Sequence, residues 1–500
     1  MLTAHSVDQV RHAEAALMAR LPDGELMQRA VAGLTSECVR LLGGVRRGAH
    51  GRVGRVERVG RVYGARVLVV AGSGDNGGDA LYAAARLARR GAKVEAVLLD
   101  EARAHAAGLA ALRAAGGRVS TAGEWRYTDT DLVLDGVVGI GGHGGLRPAA
   151  ASLFDRIEAA DPRPLIVAVD LPSGIDADTG EVAGPAVHAD VTVTFGTYKP
   201  GLLISPAAEH VGDLRFVDIG LAPYLEGAPV LEALEPADIE ALLPDPTAES
   251  NKYRRGVLGL AAGSPRYPGA AVLATGAALR SGVGAVRFVG EPEVNAGVLA
   301  RYPEVLIGDG RVQAWVVGPG IDPDGADRVA KALATDLPVL VDADGLTALK
   351  QLGQPDKPLD RSHPTLLTPH SGEAARLLDD APWTVDHIEA HRLAAVRELA
   401  DRFGCTVLLK GSTTLIADPG TPTVRVNRAG TPALATAGSG DVLSGLAGGL
   451  LAAGLDPLDA ASVAAHLHGQ AALDVQRRHP GRQLIAGDLV EALTAARVAH

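Results

Sequence analysis

The sequence has few aromatic residues, two cysteines and no long apolar run. Aromatic side chains are 3% of the 500 residues, so a bound ring system would rest mainly on aliphatic and backbone surfaces. Cys38 and Cys405 are far apart and outside metal-ligand spacing, which argues against a disulfide framework or structural zinc. The longest apolar stretch, LSGLAGGLLAAGL, is too short and glycine-rich to cross a bilayer. No signal-peptide pattern is visible at the N-terminus, and we expect a cytoplasmic protein without membrane association.

Positive charge is also in deficit, with 48 Lys and Arg against 59 Asp and Glu, a net charge of −11. This balance argues against general nucleic-acid binding, although a local site for a small anion remains compatible with it. The repeated Gly-Arg-Val segment at 46–64 has two interpretations, a nucleic-acid arm or a solvated loop, and the loop is favoured.

Short β-branched runs alternate with helix-sized segments in both halves of the chain, which is typical of parallel sheets covered by helices. A chain of this length needs more than one core. The Pro/Glu/Ala-rich stretch around 221–250 is the expected junction, so we predict domains at 1–224 and 225–500. The predicted fold class is α/β. The predicted strands are RVLVVAG (66–72), KVEAVLLD (93–100), TDLVLDGVVG (130–139), PLIVAVD (164–170), DVTVTFG (190–196), VLGLAAG (257–263), AVRFVG (285–290), AWVVGPG (314–320), PVLVDADG (338–345), TLLTPH (365–370) and TVLLKG (406–411).

The pentapeptide AGSGD occurs twice, at 71–75 and 437–441. The first copy follows a predicted strand and matches Gly-x-Gly-x-x-Gly at Gly72, Gly74 and Gly77, so a dinucleotide site with Asp100 as the ribose acid is one interpretation. Carboxylates at 75 and 79 weaken it, because they would repel a pyrophosphate unless a cation intervenes.

Three blocks of the first half, GSGDNGGDA, LVLDGVVGIGGHGGLRP and VDLPSGIDADTG, resemble NAD(P)H-hydrate epimerases in order and spacing. The resemblance implies a Rossmann-like three-layer sandwich that interconverts the R and S hydrates NADHX and NADPHX. It also implies a K⁺ site at Asn76, Asp135 and Ser173, whose hard oxygen ligands suit such a cation. Asp170 matches a substrate-contacting acid and is our candidate for proton transfer.

The remaining epimerase positions form two glycine-rich loops. The substrate loop matches Asp75, Asn76, Gly77, Gly78 and Asp79, and the phosphate-binding turn matches Gly139, Ile140, Gly141, Gly142, His143, Gly144 and Gly145. The sequence departs from the family pattern at Asp75, usually Asn, at Ala80, usually Gly, and at GIGGHGG, usually a tighter Gly-Thr-Gly.

The second AGSGD has no strand before it and is predicted to open a long helix, whose free N–H groups favour an anion. Asp441 then lies in the first helical turn, where a carboxylate can accept a proton from an attacking hydroxyl. This resembles the Gly-Ala-Gly-Asp motif of ribokinase-like enzymes. Neither half contains a Walker-type phosphate loop.

Seven blocks across 250–490, including GSPRYPGAAV, LTPHSGEAARLL, LLKGSTTLI and TAGSGD, resemble ADP-dependent NAD(P)H-hydrate dehydratases of the ribokinase-like superfamily. In that family ADP phosphorylates the hydroxyl of the S hydrate, and loss of phosphate leaves NAD(P)H and AMP. The resemblance implies Mg²⁺ and ADP as cofactors. Its site residues are hydrate contacts at Ala270, Gly320, His370 and Asp441, an adenine-nucleotide loop at Lys410, Gly411, Ser412, Thr413 and Thr414, a nucleotide contact at Gly440, and the acid/base Asp441.

Together the resemblances predict a bifunctional repair enzyme that binds NADHX or NADPHX and ADP. One alternative is a ribokinase-like kinase for a vitamin alcohol with a ligand-sensing first half. Another is a non-catalytic scaffold of the RNA-decapping type, against which the retention of Asn76, Asp135, Asp170 and Ser173 argues. The small-residue helices suit packing between subunits, so a homo-oligomer is expected.

Overall fold

A computed structural model of the chain describes residues 1–44, 61–120, 127–243, 249, 251–322, 325–352, 359 and 361–496. The Gly-Arg-Val segment therefore lies outside the described residues except for 61–64, as does most of the junction after 243. Contacts divide the chain into two compact units, one of Thr3–Val230 and one of Leu231–His500 with Met1–Leu2. No helix in the described ranges has the length and apolar character needed to cross a membrane.

After a short first strand, β1 (Leu2–Ala4), the first unit alternates strands and helices. Its helices are α1 (Val7–Met18), α2 (Glu25–Gly43), α3 (Asp75–Arg89), α4 (Ala106–Ala114) and α5 (Pro148–Glu158). Its strands are β2 (Arg66–Ala71), β3 (Lys93–Leu98), β4 (Arg118–Val119), β5 (Leu132–Gly136), β6 (Leu165–Val169), β7 (Val191–Phe195) and β8 (Asp213–Val217).

These seven strands form a parallel sheet in the order β4-β3-β2-β5-β6-β7-β8. Alternate side chains of each strand enter opposite cores, as the two-residue period of a strand requires. Val67 and Val69 pack with α1 to α4, whereas Leu68 and Val70 pack with Phe154 of α5. The predicted three-layer α/β sandwich is confirmed.

The second unit carries a larger sheet. Its strands are β9 (Leu231–Ala233), β10 (Val257–Ala261), β11 (Ala285–Phe288), β12 (Leu306–Ile307), β13 (Ala314–Val317), β14 (Val339–Val341), β15 (Thr365–Leu367), β16 (Thr406–Leu409), β17 (Thr414–Ala417) and β18 (Val424–Asn427). Its helices are α6 (Pro236–Leu242), α7 (Pro268–Arg280), α8 (Pro292–Arg301), α9 (Ala326–Leu333), α10 (Asp344–Leu352), α11 (Ser371–Leu378), α12 (Val385–Ala390), α13 (Arg392–Phe403), α14 (Ser439–Ala452), α15 (Pro457–Arg478) and α16 (Ala486–Ala496).

Strands β9 to β18 run in the order β9-β18-β17-β16-β15-β14-β13-β10-β11-β12. From β16 to β12 neighbouring strands are parallel, while β16-β17-β18 is an antiparallel meander. Its strands β17 and β18 form the hairpin that the runs TTLIAD and TVRVN predict. The predicted strands of both halves are present, although each ends one to four residues earlier than expected, because the Gly and Asp residues at their ends form the loops. The strand β8 and the shorter strands β1, β4, β9 and β12 were not predicted.

Glycines let α14 lie directly on its neighbours. A Cβ at Gly445 would stand 2.1 Å from the carbonyl oxygen of Ala274 in α7, and one at Gly448 would stand 2.0 Å from Val316. The backbone of α14, which begins at the second AGSGD, is therefore held against α7 and the sheet at a distance that only glycine permits.

We expect Gly445→Ala to lower the free energy of unfolding by about 1–3 kcal/mol, since the added methyl group meets backbone rather than a flexible side chain. Gly297→Ala in α8 is the matched control, because a Cβ there meets nothing within 4 Å. Because alanine has a higher helix propensity than glycine, this variant should have a free energy of unfolding that is unchanged or higher by up to about 1 kcal/mol. Urea unfolding of both variants measures the difference, and equal stabilities would contradict this account of the packing.

Candidate active sites

The strand order of the first unit reverses between β2 and β5, and ligands of such sheets bind beyond the carboxyl ends of the strands at this switch point. Ala71 pairs with Gly136 at the ends of the two strands. Beyond them the loops touch: a Cβ at Gly72 would lie 2.0 Å from the carbonyl oxygen of Val137, and one at Gly77 would lie 2.5 Å from that of Gly72. Glycine is required here for close backbone approach.

Helix α3 begins in the predicted substrate loop. Asp75 is exposed in the first turn, whereas Asn76, Gly77, Gly78 and Asp79 are buried. Ala80 is buried against the end of β5, where a Cβ on Gly136 would be only 2.5 Å from the Ala80 methyl group. Because Gly136 has no side chain, there is room for the methyl group of Ala80, at the position where the family usually has glycine.

Asp135, near the end of β5, and Ser173, in the loop after β6, form a buried pair. The backbone N–H of Ser173 donates to Asp135 Oδ2 at 2.8 Å, and its hydroxyl donates to Oδ1 at 2.7 Å. Burial raises the pKa of Asp135 to about 6, against the lowering effect of these bonds. The carbonyl oxygen of Val138 lies 3.3 Å from Ser173 Oγ.

The third predicted cation ligand, Asn76, lies over the start of the phosphate-binding turn. A Cβ at Gly139 would be 3.2 Å from Asn76 Cβ and 3.6 Å from its Oδ1, and Asn76 Nδ2 is buried without a hydrogen-bond partner among the described residues. The amide, carboxylate, hydroxyl and carbonyl oxygens of these residues are a donor set that suits a hard monovalent cation.

Within the turn 139–145, Gly145 packs on the backbone of Gly184, with a virtual Cβ 2.7 Å from its Cα. Gly144 has a φ of +76°, and the ring of His143 is exposed, with Nδ1 3.4 Å from Asp176 Oδ2. Ile140 packs against the core on the α1–α4 face of the sheet, while Gly141 lies beside the Arg11 guanidinium. Backbone N–H groups in such a glycine-rich turn are suited to an anion.

Asp170 is held in a left-handed conformation, with a φ of +65°, at the end of β6. Its Oδ1 accepts from Lys199 Nζ at 2.5 Å, from Thr194 Oγ1 at 3.1 Å and from the Phe195 N–H at 3.2 Å. The Lys199 side chain is 1% exposed. A strained backbone conformation of this kind persists only where the surrounding structure fixes it. At Asp170 it is fixed by the ion pair with Lys199 and by two hydrogen bonds.

Two further carboxyl groups, those of Asp79 and Glu14, interact electrostatically with the pair formed by Asp170 and Lys199. Burial, with Asp170, Asp75 and Glu14 nearby, raises the pKa of Asp79 well above its ordinary value, and Asp79 Oδ1 has no hydrogen-bond partner among the described residues. Burial likewise raises the pKa of Glu14, against the opposing charge of Lys199. Lys199 and Glu14 were not identified from the sequence. The only available signal was the position of Lys199, three residues after the end of the predicted strand 190–196.

Lys199→Met should destabilise the protein by about 3–5 kcal/mol at neutral pH, because it leaves the Asp170 carboxylate buried without its cation. The double variant Lys199→Met/Asp170→Asn removes both charges and should recover most of that loss. Thermal or urea unfolding of wild type, both single variants and the double variant completes the cycle. A double variant as unstable as the sum of the singles would show that the two groups are not coupled.

In the second unit, AGSGD opens α14 as predicted. Gly438 is the N-cap with a φ of +85°, and Asp441 is the third helical residue. A Cβ at Gly440 would lie 3.5 Å from Lys410 Nζ and 4.0 Å from Asp342 Oδ2. The start of this helix therefore faces the residues that follow β14 and β16.

Those residues form a buried network. Lys410 Nζ donates to Asp342 Oδ1 at 2.7 Å and lies 3.6 Å from Glu373 Oε2, while the Ser444 hydroxyl of α14 donates to Asp342 Oδ2 at 2.5 Å. Burial lowers the pKa of Lys410, but Asp342 and Glu373 outweigh it and the pKa is raised. Asp342, Glu373 and Ser444 were not identified from the sequence, although VDADG places Asp342 near the end of a predicted strand.

Asp441 is not in an ion pair at hydrogen-bond distance in the described residues. Burial and the neighbouring charges of Asp342 and Asp344 raise its pKa to about 7, and Lys410 acts in the opposite direction. A carboxyl group with this pKa is suited to exchange protons near neutral pH.

His370 caps α11. Its Nδ1 accepts the N–H groups of Gly372 at 3.0 Å and Glu373 at 3.3 Å, and Glu373 Oε2 accepts the His370 N–H at 2.8 Å in a capping box. Because Nδ1 is an acceptor, the neutral ring carries its proton on Nε2, on a half-exposed side chain.

Ala270 and Gly320 lie together. A Cβ at Gly320, whose φ is +62°, would be 2.7 Å from the Ala270 methyl group and 3.1 Å from Tyr267 Cβ. The predicted nucleotide loop follows β16: Lys410 faces Asp342, Gly411 and Ser412 are exposed, Thr413 is buried, and Thr414 begins β17. The structure thus brings Lys410, Gly440 and Asp441 together and separately pairs Ala270 with Gly320.

The chain thus consists of two α/β units, each with buried carboxylates at the carboxyl ends of parallel strands, where sheets of this class bind ligands. Residues 23–201 match the family described as YjeF-related protein N-terminus, and residues 258–494 match the family described as NAD(P)H-hydrate dehydratase.

Curated relatives cover nearly the whole chain. The bifunctional NAD(P)H-hydrate repair enzyme Nnr of Mycobacterium leprae is 51% identical over 475 residues, which are 94% of this chain and 93% of that protein. The Escherichia coli enzyme of the same name is 35% identical over 445 residues, covering 85% and 84%. The chain belongs to the bifunctional NAD(P)H-hydrate repair enzyme family, which disfavours the vitamin-alcohol kinase interpretation.

Among solved structures, the ADP/ATP-dependent NAD(P)H-hydrate dehydratase of Bacillus subtilis, co-crystallised with ATP and Mg²⁺, is 30% identical. It matches 52% of this chain and 96% of its own, with a TM-score of 0.48.

Proposed function

We propose that the chain repairs hydrated nicotinamide cofactors in two steps. The domain at 1–224 interconverts R- and S-NAD(P)HX, and the domain at 225–500 dehydrates the S form with ADP, releasing NAD(P)H, AMP and phosphate. The observation that carries the proposal is the position of Asp441 at a helix start, close enough to Lys410 and Asp342 for their charges to act on its pKa, in a chain of this family.

In the dehydratase reaction, Asp441 accepts the proton of the hydrate hydroxyl as that oxygen attacks the terminal phosphate of ADP. Lys410 and the free N–H groups at the start of α14 bind the phosphate oxygens. The His370 Nε2–H and the surface formed by Ala270 and Gly320 hold the hydrated ring.

Mg²⁺ fits this site on electrostatic grounds. Three carboxyl groups, those of Asp342, Asp344 and Asp441, lie near one lysine, Lys410, and the pKa of Asp441 is raised by burial and by the charges of Asp342 and Asp344. Bound with the nucleotide, Mg²⁺ supplies charge neutralisation on the transferring phosphoryl group.

In the epimerase reaction, the phosphate of the hydrate rests on the turn 139–145 and its ring meets Asp170. Interconverting R and S requires a bond at the hydroxyl-bearing carbon to break and re-form on the opposite face, with movement of a proton. Asp170 moves that proton while Lys199 fixes its carboxylate. We propose that the oxygens of Asn76, Asp135 and Ser173 hold K⁺, which supplies positive charge beside the substrate. The cytoplasmic location and the homo-oligomer stay predictions.

Asp441→Asn should lower the rate of ADP-dependent dehydration by about 10²–10⁴, because the base is lost. The assay incubates an R/S hydrate mixture with ADP and Mg²⁺ and follows NADH absorbance. Wild type should convert both epimers completely, which requires both activities.

The control for Asp441→Asn is Asp75→Asn, the same substitution in the first AGSGD. Asp75 is exposed, so its loss should affect epimerisation mildly and leave dehydration of pure S hydrate at the wild-type rate. Wild-type dehydration by Asp441→Asn would refute the assignment of the base, and a stable phosphorylated product would favour a kinase.

The dehydratase rate should depend on pH through Asp441. A base must be deprotonated, so kcat/KM should rise with pH through about 7 and level off above it. Asp344→Asn removes a negative charge that raises this pKa, so its midpoint should shift to lower pH. A profile without an acid limb near neutrality, or an unshifted midpoint in the variant, would contradict the role of Asp441.

A further inference from the structure

Arg392, the first residue of α13, carries a completely buried charge in the second unit. Its side chain is 0% exposed. Nη2 donates to three backbone carbonyls, those of Leu409 at 3.3 Å, Lys410 at 2.9 Å and Thr413 at 3.0 Å. All three belong to the end of β16 or to the loop that follows it, so one guanidinium fixes both ends of that loop.

The other side of the guanidinium is anchored to α11 and α12. Nη1 donates to Glu389 Oε2 at 2.8 Å and to Ser371 Oγ at 3.4 Å, and the Ser371 hydroxyl is itself hydrogen-bonded to Glu389. Glu389 supplies the countercharge that a buried cation needs. The planar guanidinium thus spans three elements in a way that a lysine ammonium cannot reproduce.

Gly411 lies directly on this guanidinium. A Cβ at Gly411 would be 2.4 Å from Arg392 Nη2, so the loop can approach only because residue 411 has no side chain. In a trans peptide the N–H points opposite to the preceding C=O. Because the Lys410 carbonyl points at Arg392, the Gly411 N–H points away from it, toward the exposed side of the loop.

The Lys410 side chain leaves the same loop in the direction of α14. Its Nζ meets Asp342 and lies beside Gly440, while its carbonyl is held by Arg392. The backbone that Arg392 fixes is therefore the backbone from which Lys410 and the Gly411 N–H are presented. Oriented backbone N–H groups beside a lysine suit the phosphates of a nucleotide.

We propose that Arg392 is a positioning residue of the nucleotide site, which orients the loop Lys410–Thr414 so that Lys410 and the Gly411 N–H bind an adenine nucleotide. Arg392 acts from beneath the loop and does not touch the nucleotide. This inference rests on the proposed function of the second unit and deepens it.

The test compares Arg392→Lys with wild type in steady-state dehydration of S hydrate and in ADP binding by calorimetry. Loss of the charged bonds that orient the loop should raise both KM and Kd for ADP about tenfold. The KM for S hydrate and the epimerase rate of the same full-length protein should stay at wild-type values.

Arg397→Lys is the matched control. Arg397 lies on the same helix, is half-buried and donates to a backbone carbonyl, that of Pro422, at 2.8 Å, but it does not contact the loop. Weakening this one hydrogen bond should lower stability to a smaller extent and leave the KM for ADP at the wild-type value.

A cooperatively unfolding Arg392→Lys protein with unchanged KM and Kd for ADP would overturn the inference. So would a uniform loss of kcat and of affinity for both substrates, which indicates a structural role only. Should Arg392→Lys not fold, Gly411→Ala disturbs the same contact, because its methyl group would meet the Arg392 guanidinium. An unchanged KM for ADP in the Gly411→Ala variant overturns the inference. A wild type that neither binds nor uses ADP defeats the proposed function, and the inference with it.

Discussion

Both units depend on one constraint: a charge placed at the carboxyl end of a buried parallel strand must find partners inside the protein. In the first unit Asp170 is satisfied by Lys199, Thr194 and the Phe195 N–H. In the second, Asp342 is satisfied by Lys410 and Ser444. Removing one partner of such a pair is costly, because the remaining charge is then desolvated without compensation. The loops that carry these partners are fixed for the same reason.

The strands, the glycine-rich loops and the helix that begins at the second AGSGD were predictable, because each is a local pattern. β-Branched runs ending at Gly or Asp predict strand ends, and carboxyl ends of parallel strands collect at one edge. Asp170 was found in this way, whereas Asp441 was found from its position in the first turn of the helix predicted at the second AGSGD. Their chemical roles rest on the resemblance to a family and stay proposals.

The partners of these residues were not predictable, because contact between distant parts of the chain leaves no local signal. Lys199 pairs with Asp170 across 29 positions. Arg392 lies in HRLAAVRELADR, where charged residues at helical spacing normally indicate a solvated face, yet its side chain is completely buried. The charge pattern predicts the helix, but it does not predict that Arg392 donates to the backbone carbonyls of β16 and its loop.

The two AGSGD copies show how the surroundings decide the role of one pentapeptide. In the first, Gly72 stays at the strand end, and the helix starts only at Asp75, which is exposed. In the second, the equivalent Gly438 adopts a left-handed conformation, and the helix starts two residues earlier relative to the aspartate. Asp441 is consequently drawn one half-turn further into the helix and into the field of Asp342 and Asp344.

The difference in partners also separates the two central carboxylates chemically. Asp170 accepts three hydrogen bonds, one of them from a cation, which hold the orientation of its carboxylate. Burial and the like charges of Asp342 and Asp344 raise the pKa of Asp441 to about 7, and Lys410 offsets only part of that rise. A carboxyl group in that position changes protonation state at little cost near neutral pH. Lys410, whose charge offsets part of the rise in the pKa of Asp441, is held by Asp342 at its ammonium group and by Arg392 at its backbone carbonyl. The ability of Asp441 to accept a proton therefore depends on where Asp342 and Arg392 place Lys410.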